Sequence, residues 1–280
     1  MCRDRRLFYC GLPCHLMSPQ PLIRFLKATV GATESGPDLA RIRELTWSVE
    51  AGDFWVIGGR PRVGKTDLLT TAAGLQRPLE GECHLFGSRL EDLNDAERLA
   101  NRLRIGLVFE NGGRLFNELT IEENVALPVC YHRDCLVEET GTLVERVLEL
   151  TGLTRLSELR PAEVSHTLHQ RIAVARALVL NPEVLLIDNP LFNSDSRQAG
   201  WWLEFLPSIA KGHPLIDGRG VTIVVTTTDF RPWLAINRRF GLVHRQRWED
   251  LGDLQNLQQT DHPLGRSLLT GCWNDLDQAD

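Results

Sequence analysis

Lysine is nearly missing from this chain of 280 residues. Only Lys27, Lys65 and Lys211 occur, and arginine supplies the rest of the 31 basic residues. Long apolar runs are missing too. No stretch reaches the roughly 18 residues a membrane-spanning helix needs, so any membrane role must pass through a partner. There is no positive excess: the net charge is −6, so bulk charge makes no case for nucleic-acid binding. Nor is there a disulfide framework, because the seven cysteines are odd in number and scattered. No second pair or His cluster joins Cys10 and Cys14, so they are not expected to hold a metal. The opening "MCRDRRLFYCGLPCHLM" is basic but has no long apolar core or clean cleavage site, so a secretory signal is not expected. Met17 is a second candidate start, since ordered-looking sequence begins near Pro21. No internal repeat of about 20 to 50 residues appears, which points to one unit rather than an array. What is present is ordinary globular composition, 42% apolar and 24% charged, long enough for one large domain or two small ones.

Against that scarcity the position of Lys65 is informative. "FWVIGGRPRVGKTDLL" (54–69) reads as an apolar strand, a glycine-rich turn and a helix from about Lys65. Gly59, Gly64, Lys65 and Thr66 fit G-x-x-x-x-G-K-[ST]. In such a loop backbone N–H groups turn inward on a β-phosphate, and the helix start adds partial positive charge. The candidate phosphate-binding set is therefore Gly59, Arg60, Pro61, Arg62, Val63, Gly64, Lys65, Thr66 and Asp67. Lys65 is expected to reach the β- and γ-phosphates, and the Thr66 hydroxyl to ligate Mg2+. Arg60 and Arg62 add two cations to the loop, while Pro61 removes one N–H.

Further motifs follow in a fixed order: "RIGLVFENGGRLFNELTIEENVALP" (104–128), "PAEVSHTLHQRIAVARALVLNPEVLLIDNPL" (161–191) and "VTIVVTTTDF" (221–230). Together they resemble the ATP-binding cassette (ABC) transporter ATPase subunits over about 21–245. The first is similar to the segment after the family's glutamine loop. The second is similar to its signature motif, signature helix and Walker B strand, and the third to its last core strand and switch-histidine loop. "LFNELTIEENVALP" and the tail "DHPLGRSLLTG" (261–271) resemble, more narrowly, the ATPase subunits of Mla-type lipid importers.

The resemblance implies an α/β P-loop NTPase fold, an ABC-type nucleotide-binding domain with a mostly parallel core sheet and an inserted helical subdomain at about 110–175. It implies ATP and Mg2+ as cofactors. It also implies a head-to-tail homodimer, or a heterodimer with another ABC ATPase subunit, and an integral membrane permease as partner. The expected place is cytoplasmic, peripheral at the inner face of the cell membrane. Residues 1–20 read as a disordered extension and 246–280 as a C-terminal tail with helical apolar spacing. Periodicity agrees. Leu143, Val147 and Leu150 share one helical face; Leu168, Ile172, Ala175 and Val179 make a second stripe, which Asn181-Pro182 stops. Strands expected at 54–57, 105–109, 184–187 and 221–226 alternate with helices.

The chain departs from the family where chemistry is done. Asp188 matches the Walker B Asp, expected to hold Mg2+ through water. Asn189 stands where the family has its general-base Glu, and an amide accepts no proton near neutral pH. Glu110 stands where the family has a glutamine; it is a candidate metal ligand or relocated base. Thr228 is the best match to the switch histidine, with Thr227 as the alternative, while Thr226 reads as a strand filler. Ser165 survives from the signature as a candidate contact to nucleotide across the dimer, but His166 and Thr167 replace both signature glycines. Asp195 matches the D-loop Asp. The region 28–34 offers no aromatic to stack on adenine. The expected function is an ABC ATP-binding subunit energising a permease for lipid or another hydrophobic cargo, with slow or variant hydrolysis. The alternative is a regulatory pseudo-ATPase that holds ATP as a clamp. A soluble ABC ATPase acting on DNA or ribosomes would usually carry two cassettes or a long coiled coil, and neither is here. A small-molecule kinase would not explain the signature helix.

Overall fold

The computed structural model describes residues 20–31, 41–192, 194–236 and 238–271. Residues 1–19, and with them nearly all of the expected N-terminal extension, lie outside the described residues. Strands β1 (Ile23–Gly31), β2 (Arg41–Val49) and β3 (Phe54–Gly59) lead into helix α1 (Lys65–Ala72). Then come β4 (Glu80–Leu85), β5 (Ser88–Arg89), α2 (Asp95–Leu103) and β6 (Ile105–Val108). Helices α3 (Ile121–Arg133), α4 (Gly141–Thr151) and α5 (His166–Leu178) make up the helix-rich insert before β7 (Val184–Ile187). Last are α6 (Ser196–Lys211), β8 (Thr222–Thr227), β9 (Arg239–His244), β10 (Arg247–Gly252), α7 (Leu254–Gln258) and α8 (Pro263–Thr270).

The strands join in one sheet of order β5-β4-β1-β2-β10-β9-β3-β8-β7-β6. From β9 to β6 every neighbour is parallel. These are the strands whose sequences read as continuous apolar runs, as strands covered on both faces must. Alternate residues feed opposite faces. Phe54, Val56, Leu185, Ile187, Ile223 and Val225 pack with α3–α8, whereas Trp55, Ile57, Val184, Leu186 and Val224 pack on the α1 side. The other half is antiparallel, apart from a single parallel pairing of β10 with β2.

The tail does not begin as a separate segment at 246. β10 pairs with β9 in a hairpin across that position, so the segment past 245 supplies a strand of the main sheet. Nor is 251–269 one continuous helix. It divides into α7 and α8, and Pro263 starts the second, with the His262 Nδ1 accepting the Gly265 N–H as its N-cap. Helix α8 packs behind β3. Leu268 lies so close to Gly58 that an added Cβ there would sit 2.8 Å from the leucine and 2.3 Å from the Phe230 ring. The Leu268 carbonyl also accepts the Phe230 N–H at 3.0 Å.

Candidate functional site

The carboxyl ends of four adjacent parallel strands converge on one place, where open α/β sheets bind ligands. β3 delivers the loop 59–64, β6 delivers Glu110, β7 delivers Asp188 and Asn189, and β8 delivers Thr226 to Thr228. Gly64 is the N-cap of α1 at φ 97, a left-handed turn that glycine takes without steric cost. The first N–H groups of α1 are thereby aimed back over the loop. Lys65 folds inward and donates to the Gly59 carbonyl at 2.7 Å and the Arg60 carbonyl at 2.8 Å. Its buried ammonium is drawn down to about 8, chiefly by loss of solvation; the charges of Asp188 and Glu110 oppose that shift. Both carboxylates are thus near enough to Lys65 to act on it. Asp67 lies in the first turn of α1, and its carboxyl is pushed up by partial burial and by Asp188.

Asp188 is held at both oxygens. Thr66 Oγ1 donates to Oδ2 at 2.6 Å, and Thr226 Oγ1 donates to Oδ1 at 2.5 Å. The same Thr226 oxygen accepts the Asn189 N–H at 3.0 Å. Thr226 is therefore no mere strand filler: its hydroxyl ties the Asp188 carboxylate to the backbone of Asn189. Thr227 cannot serve as the switch residue. It is buried, and its hydroxyl accepts from the Asp229 N–H and the Trp233 Nε1–H while donating to the Asp229 carbonyl. Thr228, half-buried just past β8, remains the candidate for that position.

Asn189 sits in the left-handed region at φ 45, which asparagine tolerates better than most residues. Its Nδ2 donates to Glu110 Oε2 at 2.9 Å. The two substituted positions are therefore direct partners: the amide orients the carboxylate. Glu110, Thr66 and Asp188 share the wall of a cleft of about 380 Å³ with Phe109, Asn111 and Gly113. Among the described residues no three His, Cys, Asp or Glu side chains gather to hold a metal unaided. Mg2+ binds one or two carboxylates and completes its shell with phosphates and water. The hydroxyl of Thr66 and the carboxylate of Asp188 form a fitting donor set.

The signature residues stand on the far side of Glu110. His166, Thr167 and Gln170 line a second cleft of about 380 Å³ with Glu110, Asn111, Phe192 and Ser194. Ser165 lines neither cleft; it caps α5, accepting the Thr167 N–H at 3.4 Å. Gln170 Nε2 donates to the Asp188 carbonyl at 3.1 Å, so the signature helix touches the end of β7. Asp195 caps α6 through the Gln198 N–H at 2.7 Å.

A parallel sheet with a phosphate loop after β3 and a carboxylate at the end of β7 defines a P-loop nucleotide-binding protein. The family model described as ABC transporter matches residues 42–192, more than half of the chain. The lipoprotein-releasing system ATP-binding protein LolD of Francisella tularensis subsp. holarctica is 29% identical over 213 residues, which cover 75% of this chain and 89% of that protein. The LolD of Acinetobacter baylyi is 34% identical over 169 residues, covering 60% of this chain and 74% of its own. A solved dimeric ATP-binding cassette in a post-hydrolysis state with ADP and Pi superposes with a TM-score of 0.70 at 26% identity, covering 82% of this chain and 98% of that one. The chain belongs to the ABC transporter family. Among its described residues no helix is long and apolar enough to cross a membrane.

Proposed function

We propose that this chain is an ATP-binding subunit that energises a membrane permease for lipid or other hydrophobic cargo, through slow hydrolysis at a rearranged site. Two such chains, or one with a different ABC ATPase subunit, would clasp ATP between a phosphate loop and the opposite signature. The subunit would sit peripherally at the cytoplasmic face of the membrane through the permease. The similarity to lipoprotein-releasing ATP-binding proteins and the tail sequence 261–271 support the cargo class.

The observation that carries the reading is the 2.9 Å bond from Asn189 to Glu110, next to an intact Lys65, Thr66 and Asp188. Thr66 and Asp188 would hold Mg2+, which supplies charge neutralisation on the β- and γ-phosphates when bound. Lys65 binds those phosphates. Asn189 holds Glu110 by one oxygen, which leaves the other to accept a proton from attacking water. Thr228 offers one uncharged hydrogen bond to the γ-phosphate where the family has a histidine. The signature would contribute less than usual, because the side chains of His166 and Thr167 keep its backbone back from the opposite phosphate.

Phosphate release by the purified protein with ATP and Mg2+ tests this. Turnover should vanish in Lys65→Ala and fall about 100-fold in Glu110→Gln, the lower end of what a general base contributes. A Glu110→Gln variant that turns over normally would remove the relocated base. The amide at Asn189 favours a second reading, the regulatory clamp. ATP binding with no release above background, alone and with the permease, would establish that reading instead.

A further inference from the structure

The last turn of α3 closes with a six-to-one backbone bond of the Schellman kind, and the two residues that bond joins are both cysteine. The N–H groups of Asp134 and Cys135 both donate to the Cys130 carbonyl, the latter at 3.3 Å. Asp134 takes the left-handed conformation that such an ending requires, φ 50. In this motif the residue after the left-handed one meets the residue four before it, usually as an apolar contact. Here those residues are Cys135 and Cys130. Both thiols are free and half-exposed, whereas Cys83 is buried in the sheet core. Burial, and next the neighbouring Cys135, push the Cys130 thiol up. Tyr131 and Leu136, beside the two cysteines in the chain, are 80% and 70% exposed. Pro128 inside α3 removes a backbone donor one turn earlier.

We propose that Cys130 and Cys135 form a reversible disulfide staple across the end of α3, closed by exchange with a low-molecular-weight disulfide. One cysteine thiolate attacks a sulfur of the oxidant RSSR, forming a mixed disulfide and releasing RS⁻. The second thiolate then attacks the protein sulfur of that bond, closes the ring and releases another RS⁻. Two protein thiols are oxidised, RSSR is reduced, and the two thiol protons finish on the released RS⁻ groups. The raised Cys130 thiol makes closure slow near neutral pH and faster in alkali. Neither cysteine lines the nucleotide clefts, so the staple acts on the insert and not on phosphate contacts.

The full chain is equilibrated in mixtures of reduced and oxidised glutathione, alkylated, digested and analysed by mass spectrometry. A synthetic peptide spanning 129–136 is treated in parallel. The folded turn holds the thiols together, so the protein should reach half-oxidation at an oxidant ratio about tenfold lower than the peptide. Cys135→Ser should trap Cys130 as a glutathione mixed disulfide. Amide exchange over 131–136 should slow in the oxidised protein. The proposal is overturned if both thiols stay alkylated where the peptide is oxidised, if bridges form to other cysteines instead, or if amide exchange is unchanged by oxidation.

Discussion

Lys65 is expected to couple nucleotide binding to a proton. Burial draws its ammonium down to about 8 in the ATP-free protein, and phosphate oxygens within reach would raise it again. Below about pH 8 the proton is already in place, so affinity is flat there. Above it the free protein has lost a proton that the complex keeps, so affinity falls as pH rises. Calorimetry at pH 9 in two buffers of different ionisation heat should read uptake of up to about one proton per ATP, and little at pH 7. Thr226 is the residue of the site that sequence reasoning missed. A β-branched residue in an apolar strand looks like filling, and its partner Asp188 lies on the neighbouring strand, not nearby in the chain. Only the pairing of β7 with β8 brings the two together. Thr226→Val removes a donor and an acceptor at once and should cost about 1–3 kcal/mol in urea unfolding, while Thr226→Ser should recover most of it. The pairing of Asn189 with Glu110 was half legible. The sequence marked both positions as departures from the family, but their bond depends on β6 lying beside β7.

At the scale of elements, the parallel strands could be read because they are covered on both faces and so are apolar throughout. β3, β6, β7 and β8 fall within a residue or two of expectation. The antiparallel half could not be read so. In β1 the alternation breaks at a bulge: Lys27 sits at φ 45 and the register with β2 shifts between Phe25 and Ala28. The helical spacing of 251–269 was visible, but its place behind β3 was not, since nothing local ties Leu268 to Gly58. Leu268 is buried at 1% exposure, so Leu268→Ala should cost about 3 kcal/mol, read as a lowered midpoint of thermal unfolding. Because the Leu268 side chain also seats against Gly58 at the start of the phosphate loop, the same variant should bind ATP more weakly.

At the scale of the whole molecule, the family match covers one cassette, residues 42–192. Thr66, just past the phosphate loop, and the signature residues His166 and Thr167 line separate clefts. Light scattering should therefore show the molar mass doubling with ATP and Mg2+, and no change in Lys65→Ala. A mass that stays monomeric with saturating nucleotide would point to a different ABC subunit as the obligatory partner.

The brace that α8 sets behind the phosphate-loop strand also has a consequence for biosynthesis. β3 is made early, yet the side chain that seats against Gly58 and the carbonyl that pins Phe230 both come from Leu268, almost the last residue described. Folding proceeds along the nascent chain from its N-terminus. A growing polypeptide therefore exposes the glycine-rich loop on the ribosome long before that loop is firmly seated. A chain lacking α8 should therefore bind ATP more weakly than the whole chain, a difference that titration calorimetry reads.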